Sequence, residues 1–182
     1  MSDTKQDILN LAEHLIRSRG YHAFSYKDLS TPLQVKNAAI HYYFPSKKDL
    51  GAAVIRKNIE ALENCFASWA GLPAREQLFN FIEIYSLNNQ SNLICFMGAL
   101  GPAYQSLPEE MRAPLTEAGL EIRNWLKWIL NKGIEENAFH FNETIEEKAD
   151  VIITSLLASL ILNRVTGDRV LENVVSLIHK TI

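Results

Sequence analysis

Residues 35–50 read VKNAAIHYYFPSKKDL, and this stretch decides the fold. Within it, Ile40 and Phe44 stand four apart, so on a helix they share one face and can seal it against a core. His41, Tyr42 and Tyr43 then turn wholly or partly outward, Lys36 and Asn37 lead in, and Phe44-Pro45 closes the segment. Ser46 and Asp49, three apart, form the pattern that caps a new helix, which starts at Lys47. A short helix with aromatics at this spacing is core in most proteins. Its lysines and the segment before it decide otherwise.

That preceding segment is helical too. Ile8, Leu11, Ala12, Leu15 and Ile16 repeat at the helical interval over residues 4–19 until Gly20 ends the pattern. In FSYKDLS, Ser25 and Asp28 make a second cap, which places another short helix from Tyr26, shortened or distorted towards Pro32. Two short helices joined around Gln34-Val35-Lys36 form a candidate helix-turn-helix, whose second helix enters the major groove of DNA while the first braces it. Ala38 and Ala39 are small enough for close approach to base edges, and Asn37 and Lys36 offer an amide and a charge. His41, Tyr42 and Tyr43 can reach phosphates or bases, and Lys47 and Lys48 can meet phosphate. Tyr26 and Lys27, at the start of the bracing helix, complete the candidate set.

Bulk properties agree. The 182 residues, 47% hydrophobic and 21% charged, suit a globular protein with a real core. Residues 1–58 carry nine Lys/Arg against five Asp/Glu, a charge of +4, and the remainder carries −7, within a total of −3. A basic leading segment on an acidic body fits one face turned to a polyanion. The polar start MSDTKQD lacks the apolar run of a secretory signal, so a cytoplasmic protein is expected. The apolar run Val151–Leu162 is too short to span a bilayer and reads as a core or interface helix. Cys65 and Cys95 have no CxxC partner, and the five histidines show no metal spacing, so neither a disulfide, a metal nor a cofactor is expected. Nucleophile elbows and phosphate-cradling glycine loops are missing, which leaves little case for an enzyme.

Beyond Pro73, further helices are expected near 74–89, 93–106, 109–136, 145–165 and 169–180. Thr144 and Glu147 form another cap, and Asn137 or Gly133 can close the helix before it. No strand pattern occurs. The fold class is all-α, with a helix-turn-helix module over 1–46 and a helical domain over 47–182.

From Asp7 to Leu50 the sequence resembles the DNA-binding module of the TetR, or tetracycline-repressor-like, family. The likeness rests on Gly20-Tyr21 ending the first helix, Ser25, Leu29, Val35, the aromatic pair before Phe44, and Ser46-Lys47 followed by Leu50. Gln34 stands where that family usually has a turn glycine, Pro32 intrudes in the second helix, and His41 replaces a common tyrosine. The resemblance implies a repressor that binds a palindromic double-stranded operator as a homodimer and is released by a small apolar or electrophilic effector. It marks Lys27, Lys36, Asn37, Ala39, His41, Tyr42, Tyr43 and Lys47 as DNA contacts, and a tilt of the helix from Lys47 as the switch.

The larger domain is rich in aromatics, and an ordinary core explains any one of them. As a group, Phe66, Phe96, Tyr104, Trp125 and Trp128 can line an apolar effector cavity. The segment NLICFMGALGPAYQSLPEEMR around Cys95 is similar to that of an electrophile-responsive subgroup related to the N-ethylmaleimide reductase repressor, which implies a sensing cysteine. A small buried hydrophobe is the plainer reading of Cys95. For the dimer interface the candidates are Trp125 and Ile129 with Ile152, Ser155, Leu156, Ser159, Leu162 and Asn163, a pair of helices per copy making a four-helix bundle. The rival reading is a helical adaptor that binds a protein through its aromatics and never meets DNA.

Overall fold

Three caps set the frame. The Ser25 N–H and hydroxyl both donate to the Asp28 carboxylate, at 2.8 and 2.7 Å. Ser46 N–H donates to Asp49 at 3.0 Å and Asp49 N–H returns to the Ser46 hydroxyl at 3.3 Å. Thr144 and Glu147 do the same at 2.9 and 3.2 Å. Each such cap contributes about 0.5–2 kcal/mol and fixes where its helix begins.

The computed structural model describes residues 4–182, so the first three residues of the polar amino terminus lie outside it. The described residues form α1 (Thr4–Arg19), a 3₁₀ turn (Tyr21–Ala23), α2 (Tyr26–Leu33), α3 (Asn37–Tyr43), α4 (Lys47–Trp69) and α5 (Ala74–Gln90). These are followed by α6 (Phe96–Leu100), a second 3₁₀ segment (Gly101–Ser106), α7 (Glu109–Glu135), α8 (Ile145–Thr166) and α9 (Val170–Thr181). The architecture is all-α: a small helical tip on a larger bundle.

In the tip, Ile8, Ala12, Leu15 and Ile16 of α1 bury against Leu29, Ile40, Phe44 and Leu50. The α2–α3 turn is built without glycine. Gln34 takes φ 55°, and Gln34 N–H and Val35 N–H donate to Thr31 and Ser30 carbonyls at 3.3 and 3.1 Å. This is the Schellman arrangement, held by a residue that carries a Cβ cost in the left-handed region. Pro32 stays inside α2, which ends one residue later.

In the body, α7 packs on α4, α5 and α8, and α8 on α9. Two expectations need correction. The helix over 93–106 is broken: Asn92 takes φ 52°, Ile94 N–H donates across to Arg17 O at 3.2 Å, and the chain tightens into a 3₁₀ segment around Pro102, which has no N–H to continue α6. Gly133 does not close α7; it lies buried within it, beneath the Phe139 ring, and Asn137 (φ 53°) makes the closing turn. Counted over all 22 residues of α8, the apolar run is also part of a helix long and apolar enough to cross a bilayer by length and composition.

Candidate nucleic-acid interface and effector cavity

The α3 helix divides cleanly. Ile40 and Phe44 are sealed in the tip, while Lys36, Asn37, Ala38, His41 and Tyr42 are exposed, with Ala39 half-buried between the faces. Tyr42 is 80% exposed and meets Tyr43 edge-on at 5.0 Å. His41 lies over Tyr26 at 4.7 Å, and its Nδ1 donates to Pro45 O at 3.2 Å, which leaves Nε2 as its other nitrogen.

Other candidates are committed inside the chain. Tyr26 donates its hydroxyl to Phe44 O at 2.9 Å, and burial, with the Asp49 charge adding, pushes that phenol up to about 12. Its role is to brace α2 against the end of α3. Tyr26→Phe is expected to lower stability by about 1 kcal/mol, read by chemical denaturation, because it strands one carbonyl acceptor. Lys47 donates to Phe24 O and sits over the Tyr21 and Phe24 rings at 4.9 and 4.3 Å, so it pins α4 to the tip. Burial lowers its pKa. Lys48 pairs with Glu110 of α7. Lys47 is thus engaged within the tip, whereas Lys48, despite its ion pair, is exposed, as are Lys27 and Lys36.

The tip is also fastened to the body. His22 meets Ser106 at 3.0 Å, Arg164 donates through Nη1 to Ser18 O and through Nη2 to Arg17 O at 3.4 Å each, and Met111 of α7 packs where a side chain on Gly51 would stand.

Beside this junction lies a cavity of about 200 Å³ between α1, α4, α5, α6 and α7. Cys95 and Phe96 line it as expected from sequence; so do Phe81, Tyr85, Cys65, Asn58, Asn88 and Arg17. Phe66 and Trp125 stack on each other at 4.2 Å and lean on Phe81, behind the wall. Tyr104 and Trp128 do not belong to it. Tyr104 bonds Thr116 at 2.7 Å in a separate acidic groove, and Trp128 is half exposed on the outside. Cys95 is buried, accepts from Gly98 N–H at 3.4 Å, and burial pushes its thiol up, against the few hydrogen bonds that oppose it. The Arg17 charge across the cavity also opposes that rise. Beyond its i,i+4 spacing to Glu13, Arg17 was invisible to local patterns because its partners in α5 and before α6 are more than seventy residues away.

The interface candidates also separate. Ile129, Ile152, Leu156 and Ser159 are buried in the protomer's own core, Trp125 is held by Phe66, and Asn163 bonds Asn89 and Leu171 N–H at 3.0 Å. A partner cannot reach the buried ones. Val151, Ser155, Ala158, Leu162 and Val165 instead follow one stripe of α8, with Val151, Leu162 and Val165 exposed.

Among the described residues no group of three or more His, Cys, Asp or Glu gathers to hold a metal. The profile of bacterial regulatory proteins, tetR family, matches residues 8–54. An HTH-type transcriptional regulator from the lacX 3′ region of Lactococcus lactis subsp. lactis is 29% identical, covering 95% of this chain and 90% of that protein. The crystal structure of a TetR transcriptional regulator from Legionella pneumophila is 36% identical, with a TM-score of 0.88 over 100% of this chain and 98% of that one. Reduced Escherichia coli NemR shares the fold alone, at 19% identity and a TM-score of 0.81 over 100% of this chain and 97% of that one. With the tip's geometry and the Legionella pneumophila relative 36% identical along its whole length, the chain belongs to the TetR family of DNA-binding transcriptional regulators.

Proposed function

We propose that the protein is a repressor in which two copies present α3 to successive major grooves of a two-fold symmetric operator, about 34 Å apart. The observation that carries this is Tyr42, a large ring left almost wholly in solvent on a helix whose other face is sealed. The division falls at Ser46, with residues 1–46 as reader and 47–182 as sensor and dimer. Asn37, Ala38 and Tyr42 meet bases or sugars; Lys27, Lys36, His41 and Tyr43 meet the backbone. The α8 stripe pairs with its symmetry mate, which gives the apolar helix its cover. A small effector occupies the cavity and favours an arrangement in which the two α3 helices no longer match the grooves, so effector and DNA weaken each other equally. The burial of Cys95, whose Sγ accepts from Gly98 N–H, favours a non-covalent effector over an electrophile.

Lys36→Ala tests the reader. Removing one phosphate contact should weaken binding across all sequences and reduce the slope of log K against log salt by about 1, measured by fluorescence anisotropy. An unchanged slope and affinity would remove Lys36 from the interface.

A further inference from the structure

The cavity's polar end comes from the reading module itself. Arg17 of α1 is 13% exposed at its side chain and lines the cavity. Its guanidinium donates through Nε to Ile94 O at 3.0 Å, through Nη1 to Glu13 at 3.0 Å, and through Nη2 to Asn88 Oδ1. Glu13 is shared, for Lys57 Nζ lies 2.7 Å from its second oxygen. Burial alone would raise the Glu13 carboxyl, but Lys57 and Arg17 together hold it below its usual value, so it is ionised.

Two cations therefore meet one carboxylate. Lys57 keeps about a third of its side chain in solvent, whereas Arg17 keeps little. An incompletely neutralised guanidinium beside an apolar wall is a poor state for an empty protein and a good one for an anion. Two of the three partners of Arg17, Ile94 O and Asn88 Oδ1, are neutral amide oxygens; of these Asn88 is the side chain, able to rotate away, and a carboxylate makes the stronger charge-assisted bond to the same Nη2.

We infer that the effector is a small apolar molecule bearing one carboxylate or equivalent anionic group, which takes Nη2 of Arg17 from Asn88. This rests on the cavity being the effector site. Its apolar part lies along Phe81, Ile84, Phe96 and Ile122, and its charge is read by a residue of α1. Exchanging Asn88 for the ligand cuts a tie between the reading module and α5. The signal thus enters α1 directly, in addition to anything carried by α4.

The test is isothermal titration calorimetry of the full chain with phenylacetate, cyclohexanecarboxylate and octanoate, each beside its own amide. At least one acid should bind about tenfold or more tightly than its amide, and Arg17→Gln should erase that preference. Glu13→Gln, which removes the competing carboxylate while keeping an acceptor, should tighten binding of the same acid several-fold, and it decides the matter if Arg17→Gln does not fold. Acids and amides of equal affinity, or an acid preference that survives Arg17→Gln, would overturn the anionic reading and leave the cavity as the effector site. Silence from both series would overturn both.

Discussion

Leu162→Glu combined with Val165→Glu should leave the protein monomeric at micromolar concentration and weaken operator binding by at least a hundredfold. Both residues are exposed on the outer stripe of α8, so neither substitution disturbs the protomer's core. In a symmetric pair the stripe of one copy packs on the stripe of the other, so four carboxylates gather in one apolar seam, where like charges lose water without gaining a partner. A lone reading helix then engages one half-site, and specific affinity falls towards the non-specific level, which lies orders of magnitude lower. Sedimentation velocity gives the oligomeric state, anisotropy the affinity, and circular dichroism the integrity of the fold. A variant that remains dimeric would move the interface off α8.

Gly133→Val is expected to lower Tm by roughly 6–12 °C, from about 3 kcal/mol of lost stability. A Cβ on Gly133 would stand 1.9 Å from Cδ2 of Phe139, far inside contact distance, and Phe139 is itself buried. The ring folds back on α7 because Ala138 and Phe139 N–H groups both donate to Gly133 O, at 2.8 and 3.1 Å. Relief therefore requires moving either the helix or the closing turn. Phe139→Leu in the same chain should recover part of the loss, which thermal unfolding monitored at 222 nm would show. An unchanged Tm would contradict the packing of this turn.

The reading module was legible because its determinants are local. Ser25 and Ser46 announce their helices within three residues, and Ile40 with Phe44 fixes the sealed face of α3 within one turn. Gln34 was readable as a strained turn from its place in the pattern, and its φ of 55° agrees. What stayed hidden depends on distant partners. Whether Lys47 faces phosphate or the Phe24 carbonyl is decided by how α4 leaves the tip. Trp125 and Trp128 are three residues apart on α7, yet one stacks on Phe66 and the other faces solvent, because the bundle's edge passes between them. Along α8, which is apolar nearly all round, periodicity could not separate the protomer's core from its outer stripe. Arg17 gave only the i,i+4 spacing to Glu13 as a local sign, since Ile94 and Asn88 reach it only through the tertiary fold.

We propose that two chains together hold one duplex through their exposed α3 faces. It is tested most directly by titrating the wild-type chain onto duplexes selected from genomic fragments and following anisotropy from low to high salt. Saturation at two chains per duplex, with log K falling linearly and steeply against log salt, is the predicted result. Saturation at one chain per duplex, or an affinity indifferent to salt, would contradict it.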